Sequence, residues 1–143
     1  MWNRMLKGAI DRTGGGLYEV ILPQDEANKF ISGSNVDRDS IAQECFDRAE
    51  AADVAIAILD GSDADSGTCV EVAWRKGRNA KLPVIGVRTD FRLSEDEGFN
   101  LMLRRGRSTR MCDVTIYFPS FDEDVNRLAE QIVDAIQKMR TTA

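Results

Sequence analysis

Apolar positions recur along this chain with two periods, and the switches between them mark its elements. Trp2, Met5, Leu6, Ala9 and Ile10 fall at helical spacing, and Gly14, Gly15 and Gly16 end that helix. Residues 17–22 read as a strand stopped by Pro23. The polar stretch 24–39 reads as a loop. Ser40 with Gln43 makes a capping-box pattern, after which Ile41, Cys45, Ala49 and Ala52 line one helix face. Residues 54–59 are continuously apolar, as in a parallel strand covered on both sides.

A turn over residues 60–67 leads to a helix expected from about Thr68 to Lys76. Residues 82–87 form a second buried-strand pattern, 89–98 a loop, and 100–104 a short helical stretch. Residues 114–118 give a further strand. Ser120 with Glu123 then caps a last helix whose Val125, Leu128, Ala129, Ile132 and Ile136 face inward. Strands alternating with helices predict an α/β fold, a doubly wound parallel sheet with flanking helices, in a single domain over residues 1–143. Such sheets usually open with a strand. This chain opens with a helix and shows four strands where five are expected, so either the first strand is missing from it or the sheet is arranged unusually.

Composition narrows the function. Hydrophobic residues make up 43% and charged residues 30%, a soluble globular balance. The formal net charge of −5 argues against a nucleic-acid partner, since phosphate contacts need clustered cations. Arg104, Arg105, Arg107 and Arg110 form the one basic cluster, read as a solvated surface loop, with a local anion site as the alternative. Three cysteines without CxxC spacing suit a reducing compartment. The aliphatic runs are too short for a membrane span and the N-terminus lacks a signal-peptide core, so the expected location is cytoplasmic with no membrane partner. The chain has no histidine. Ser–His and Cys–His nucleophile pairs and a His-based zinc site are thereby excluded. An enzyme of this composition works near neutral pH with carboxylates, or else with Cys, Lys or Tyr.

In open α/β sheets the ligand crevice lies beyond the carboxyl ends of the strands. The segment 59–68 occupies that position and runs into a helix carrying Glu71, expected in its first turn. Neither GxGxxG nor GxxxxGK[ST] occurs, and three aspartates in the turn are unsuited to cradling phosphate. A Glu71 carboxylate kept ionised by the helix dipole can attack an electropositive carbon, with Asp65 approaching from another side. The alternative is structural: Asp, Ser and Thr are ordinary helix caps, and an early Glu complements the dipole. Asp60 and Asp63 either organise the turn or line the pocket. Gln24 and Asp25 follow a strand end, where they either read a base or form a plain turn. Cys45 lies on the apolar stripe and reads as core, and Trp2 and Trp74 read as packing residues.

Residues 52–61 (ADVAIAILDG), the element Asp65-Ser66-Gly67-Thr68 with Glu71, residues 82–90 (LPVIGVRTD) and Asn100-Leu101-Met102 resemble the nucleoside 2-deoxyribosyltransferase family. The resemblance spans roughly residues 17–118 and is densest from 53 to 102. It implies a Rossmann-like or flavodoxin-like domain that exchanges the base on 2-deoxyribose by double displacement. A related branch hydrolyses the N-glycosidic bond of nucleoside 5-monophosphates. By this resemblance Glu71 is the nucleophile and Asp65 contacts the sugar or assists the leaving base. Asp60, Gly67, Thr68, Gln24 and Asp25 are substrate-binding candidates. Asn100 and Met102 would reach a neighbouring subunit's site, implying a homo-oligomer, a dimer or a hexamer. The ligand is a small-molecule nucleoside or nucleotide, with no metal or redox cofactor. The sequence departs from the family in its first strand, and in Cys45 where the family commonly has an aspartate.

Two other classes fit parts of the sequence. A nucleoside-binding module without turnover would follow from the missing strand and the absent aspartate. A signalling receiver with Asp60 as phospho-acceptor lacks the paired acid after a first strand and the Lys after its last.

Overall fold

Val84–Arg88 is a strand without a single exposed position, and the molecule is arranged around it. The computed structural model describes residues 2–60, 66–90, 103, 110–119 and 124–141. In chain order they form α1 (Trp2–Thr13), α2 (Pro23–Ala27), a 3-10 turn (Asn28–Phe30), β1 (Ile31–Ser32), β2 (Asn35–Val36), α3 (Arg38–Ala51), β3 (Ala55–Ile58), α4 (Ser66–Arg78), β4 (Val84–Arg88), β5 (Val114–Tyr117) and α5 (Val125–Thr141).

β3, β4 and β5 make a three-stranded parallel sheet in that order, with Ala55 opposite Val84 and Ile85 opposite Val114. Successive side chains of a strand point to opposite faces, and β4 sorts accordingly. Ile85 and Val87 join Leu6, Ala9 and Ile10 of α1 and Leu128, Ala129, Ile132 and Ile136 of α5 in one buried cluster. Val84 joins a second cluster with Ala57, Leu59, Val72 of α4, Leu103 and Cys112. Gly86 shares that second face because nothing larger fits: a Cβ there would lie 2.9 Å from the Cys112 sulfur and 3.0 Å from Leu59 Cδ1. Helices on both faces make this the doubly wound α/β arrangement expected. Among the described residues, no helix is long and apolar enough to cross a membrane.

Four expectations change. Residues 17–22 form no strand. Tyr18 and Val20 pack on the first cluster with strand-like alternation, but Leu17 is 77% exposed and the Lys7 ammonium donates to the Val20 carbonyl. Apolar alternation makes a strand only beside a ladder partner, and among the described residues β3 pairs with β4 alone. Residues 24–39 are not plain loop: α2, the 3-10 turn and the β1–β2 hairpin lie there, with Gly33 at φ 59°. α3 begins earlier than Ser40, because Asp37 is the cap, accepting from the Ser40 amide at 3.1 Å and its hydroxyl at 2.7 Å. Asp124 caps α5 by accepting from the Arg127 amide at 3.2 Å. Ser120, Glu123 and most of the stretch 100–104 lie outside the described residues. The triple glycine ends α1 as expected, Gly15 and Gly16 both taking positive φ.

Candidate functional site

The carboxyl ends of β3 and β4 open toward one another's following loops, and a carboxylate ties them. Asp60, just past β3, accepts from the Thr89 amide and the Thr89 hydroxyl, both at 2.6 Å, and from the Asp90 amide at 3.1 Å. Arg88 at the end of β4 is 2% exposed and donates to the Leu59 carbonyl at 3.1 Å. The Arg88 charge is therefore buried between the ends of β3 and β4.

α4 carries Glu71 and is fastened from below. Arg75, fully buried on the next turn, donates from Nη1 to the carbonyls of Ala49 and Ala52 at 2.6 and 2.7 Å. Its Nη2 reaches the carbonyls of Asp53 and Pro83 at 3.0 and 3.1 Å. The guanidinium thus satisfies carbonyls left open at the C-terminus of α3 and joins them to the entry of β4. Burial pushes the Arg75 pKa down, opposed by the nearby Asp113 and Asp53 carboxylates. Lys76 beside it pairs with Asp113 at 2.7 Å, and the same Asp113 oxygen accepts from the Val84 amide at 2.8 Å.

α3 and α4 lie side by side in a regular register. Ala49 meets Arg75, Glu50 meets Arg78 at 3.2 Å, and the rings of Phe46 and Trp74 stand 5.1 Å apart. One turn earlier on both helices this register places Cys45 opposite Glu71. Burial pushes the Cys45 thiol up first, and the Glu71 charge and hydrogen bond add to it.

Glu71 is half-buried, but it is not in the first turn of its helix. α4 begins at Ser66, two residues before the expected start, so Glu71 occupies the second turn, where the dipole acts more weakly. Gly67 is exposed and Thr68 half-buried in the first turn. Gln24 is exposed on α2, and Asp25 pairs with Arg4 of α1 at 2.7 Å rather than following a strand. Asp63, Asp65, Asn100 and Met102 lie outside the described residues. The described candidates therefore form two groups: Glu71 and Thr68 on α4 with Cys45 on the facing α3, and Asp60 and Arg88 at the ends of β3 and β4.

A family model described as nucleoside 2-deoxyribosyltransferase matches residues 3–103. The chain belongs to the nucleoside 2-deoxyribosyltransferase family. That is a glycosyltransferase-type enzyme family acting on nucleosides, and the three-stranded parallel sheet with helices on both faces agrees with its Rossmann-like fold. Comparison with curated proteins gives no match.

Arg75, Lys76 and the Cys45–Glu71 contact were missed from the sequence. For the two cations a signal existed. Val72, Arg75 and Lys76 share helical i, i+3, i+4 spacing, which places both cations on the buried stripe of α4.

Proposed function

We propose that this chain transfers 2-deoxyribose between nucleobases through a covalent glycosyl-Glu71 intermediate. The observation that carries the reading is the place of Glu71: a half-buried carboxylate on the helix that follows β3, opposite Cys45 of α3, in a chain of this family. An ionised Glu71 oxygen attacks the anomeric carbon of the sugar. The bond from that carbon to the base nitrogen breaks, and its electron pair leaves with the base, which takes up a proton. A second base then attacks the same carbon and loses a proton, the glycosyl ester breaks, and the Glu71 carboxylate is regenerated. Two displacements retain the configuration, as in retaining glycosidases, and predict ping-pong kinetics.

In this reading Asp65 assists the leaving base, and Gly67 and Thr68 line the sugar pocket. Asp60 shapes that pocket through the loop after β4, and Gln24 and Asp25 approach the base. Asn100 and Met102 complete a neighbouring subunit's site in a cytoplasmic homo-oligomer, and the reaction serves nucleotide salvage.

The test mixes the protein with 2-deoxyinosine and free adenine and separates the products by chromatography. The reading expects 2-deoxyadenosine from the wild type and none from Glu71→Ala. Release of hypoxanthine without exchange would replace it with a hydrolase, to be tried next on nucleoside 5-monophosphates. Binding without turnover, surviving Glu71→Ala, would replace it with a binding module.

A further inference from the structure

We propose that Cys45 is the positioning residue for Glu71: its thiol donates a hydrogen bond across the α3–α4 interface that orients the carboxylate and keeps it ionised. The inference rests on the reading of Glu71 as nucleophile, but its geometry stands apart from that reading. The register of the two helices supplies it. Arg75 bonds the Ala49 carbonyl at 2.6 Å, and Arg78 bonds Glu50 at 3.2 Å, so the helices advance together. Stepping back four residues on each from the Ala49–Arg75 contact brings Cys45 opposite Glu71, because residues four apart lie one above the other on a helix face.

The chemistry of the pair rests on a neutral donor. A hydrogen bond donated to the ionised form of a carboxylate favours that form. A thiol is a weak donor, so it fixes the rotamer while leaving the carboxylate oxygens electron-rich. Burial first, and then the charge of Glu71, push the thiol up and keep it protonated. Other charged groups face Cys45 from each packed element: Glu26 of α2 lines the same small cavity, as do Glu44 and Arg48 of α3 itself. Of the carboxylates, Glu71 acts on the thiol more strongly than Glu44. Cys45 is thus a donor in its protonated state across the neutral range.

The deciding experiment needs no catalytic activity. Iodoacetamide alkylates the thiolate, so its rate against pH reports the thiol titration. Peptide mass spectrometry separates Cys45 from Cys69 and Cys112. In Glu71→Gln the midpoint for Cys45 is expected to move to lower pH, making alkylation at pH 8 about threefold to tenfold faster. Glu71→Ala should move it the same way, and Glu44→Gln by less. An unchanged midpoint in both Glu71 variants would overturn the contact. If base exchange is found, a second arm follows kcat/KM against pH. Cys45→Ser, which keeps a donor, should retain the wild-type acidic limb, whereas Cys45→Ala should shift that limb upward. Equal profiles for Ser, Ala and wild type would overturn the positioning role even with the contact intact. Absence of turnover would count against the nucleophile reading alone, because the alkylation arm still decides the contact.

Discussion

Arg75 Nη1 lies 2.6 Å from the carbonyl oxygen of Ala49, so a side chain of α4 closes the last turn of α3. The same guanidinium reaches Ala52, Asp53 and Pro83, and Arg75 has no exposed surface. Arg75→Met should leave these carbonyls without their donor in a site closed to water. Hydrogen bonds to charged groups contribute about 1.5–3 kcal/mol each, so urea unfolding should show a loss of about 3 kcal/mol or more. Arg75→Lys should recover little of it, since one ammonium cannot span the planar fork.

Lys76 and Asp113 form a pair whose lysine end is 1% exposed. Removing one partner of a buried pair strands the other, at a cost of about 3–5 kcal/mol; Asp113 is partly exposed, so the lower end applies. Asp113→Ala is expected to destabilise more than the double variant Lys76→Met with Asp113→Ala. A double-mutant cycle by denaturant unfolding measures the coupling, with near-additive losses contradicting the pair's importance.

Asp60 holds the loop after β4 through both oxygens. Asp60→Ala should speed hydrogen exchange at the Thr89 and Asp90 amides by about tenfold or more, the loss of roughly 1.4 kcal/mol of protection. Asp60→Asn, which keeps one acceptor oxygen, should fall between. Exchange at the Ile85 amide in the centre of β4 serves as the internal reference and should not change.

Cys112 is buried beside Asp113, and burial first, then that carboxylate, pushes its thiol up to about 11. A folded-state value above the unfolded one gives stability that is complete below pH 9 and lost as pH rises through about 11. The difference corresponds to about 2–3 kcal/mol. Wild type should therefore lose more unfolding free energy than Cys112→Ser between pH 9 and pH 11, measured by chemical denaturation at fixed ionic strength. Parallel pH curves for the two proteins would contradict the assignment.

β3 and β4 were legible as near-continuous apolar runs, which two covered faces demand, and β5 through the alternation of Val114, Ile116 and Phe118 on the core with exposed Thr115 and Tyr117. α5 was legible because its apolar positions keep one helical face from Val125 to Ile136. Residues 17–22 carry an equally good strand pattern and form none, since pairing depends on a neighbour that local sequence does not specify. The start of α3 was misplaced by three residues because Ser40 and Asp37 are both good caps, and only the carboxylate's reach to the Ser40 amide separates them. In the candidate site, Glu71 stood out through its spacing from Asp65, Gly67 and Thr68. Its contact with Cys45 did not, because it depends on the register between two helices that are 26 positions apart in the chain, the same separation as the Ala49–Arg75 bond.

The glycosyl-Glu71 intermediate itself is the central claim, and trapping it is the most direct test. The protein would be incubated with a 2-deoxy-2-fluoro-arabinonucleoside, whose fluorine slows breakdown of a glycosyl ester more than a binding event. Intact mass and peptide mapping would follow. The account predicts one fluorosugar per active chain, lost in Glu71→Gln and carried on the peptide containing Glu71. Turnover of 2-deoxynucleosides with no adduct, or an adduct mapped to another carboxylate, would contradict it.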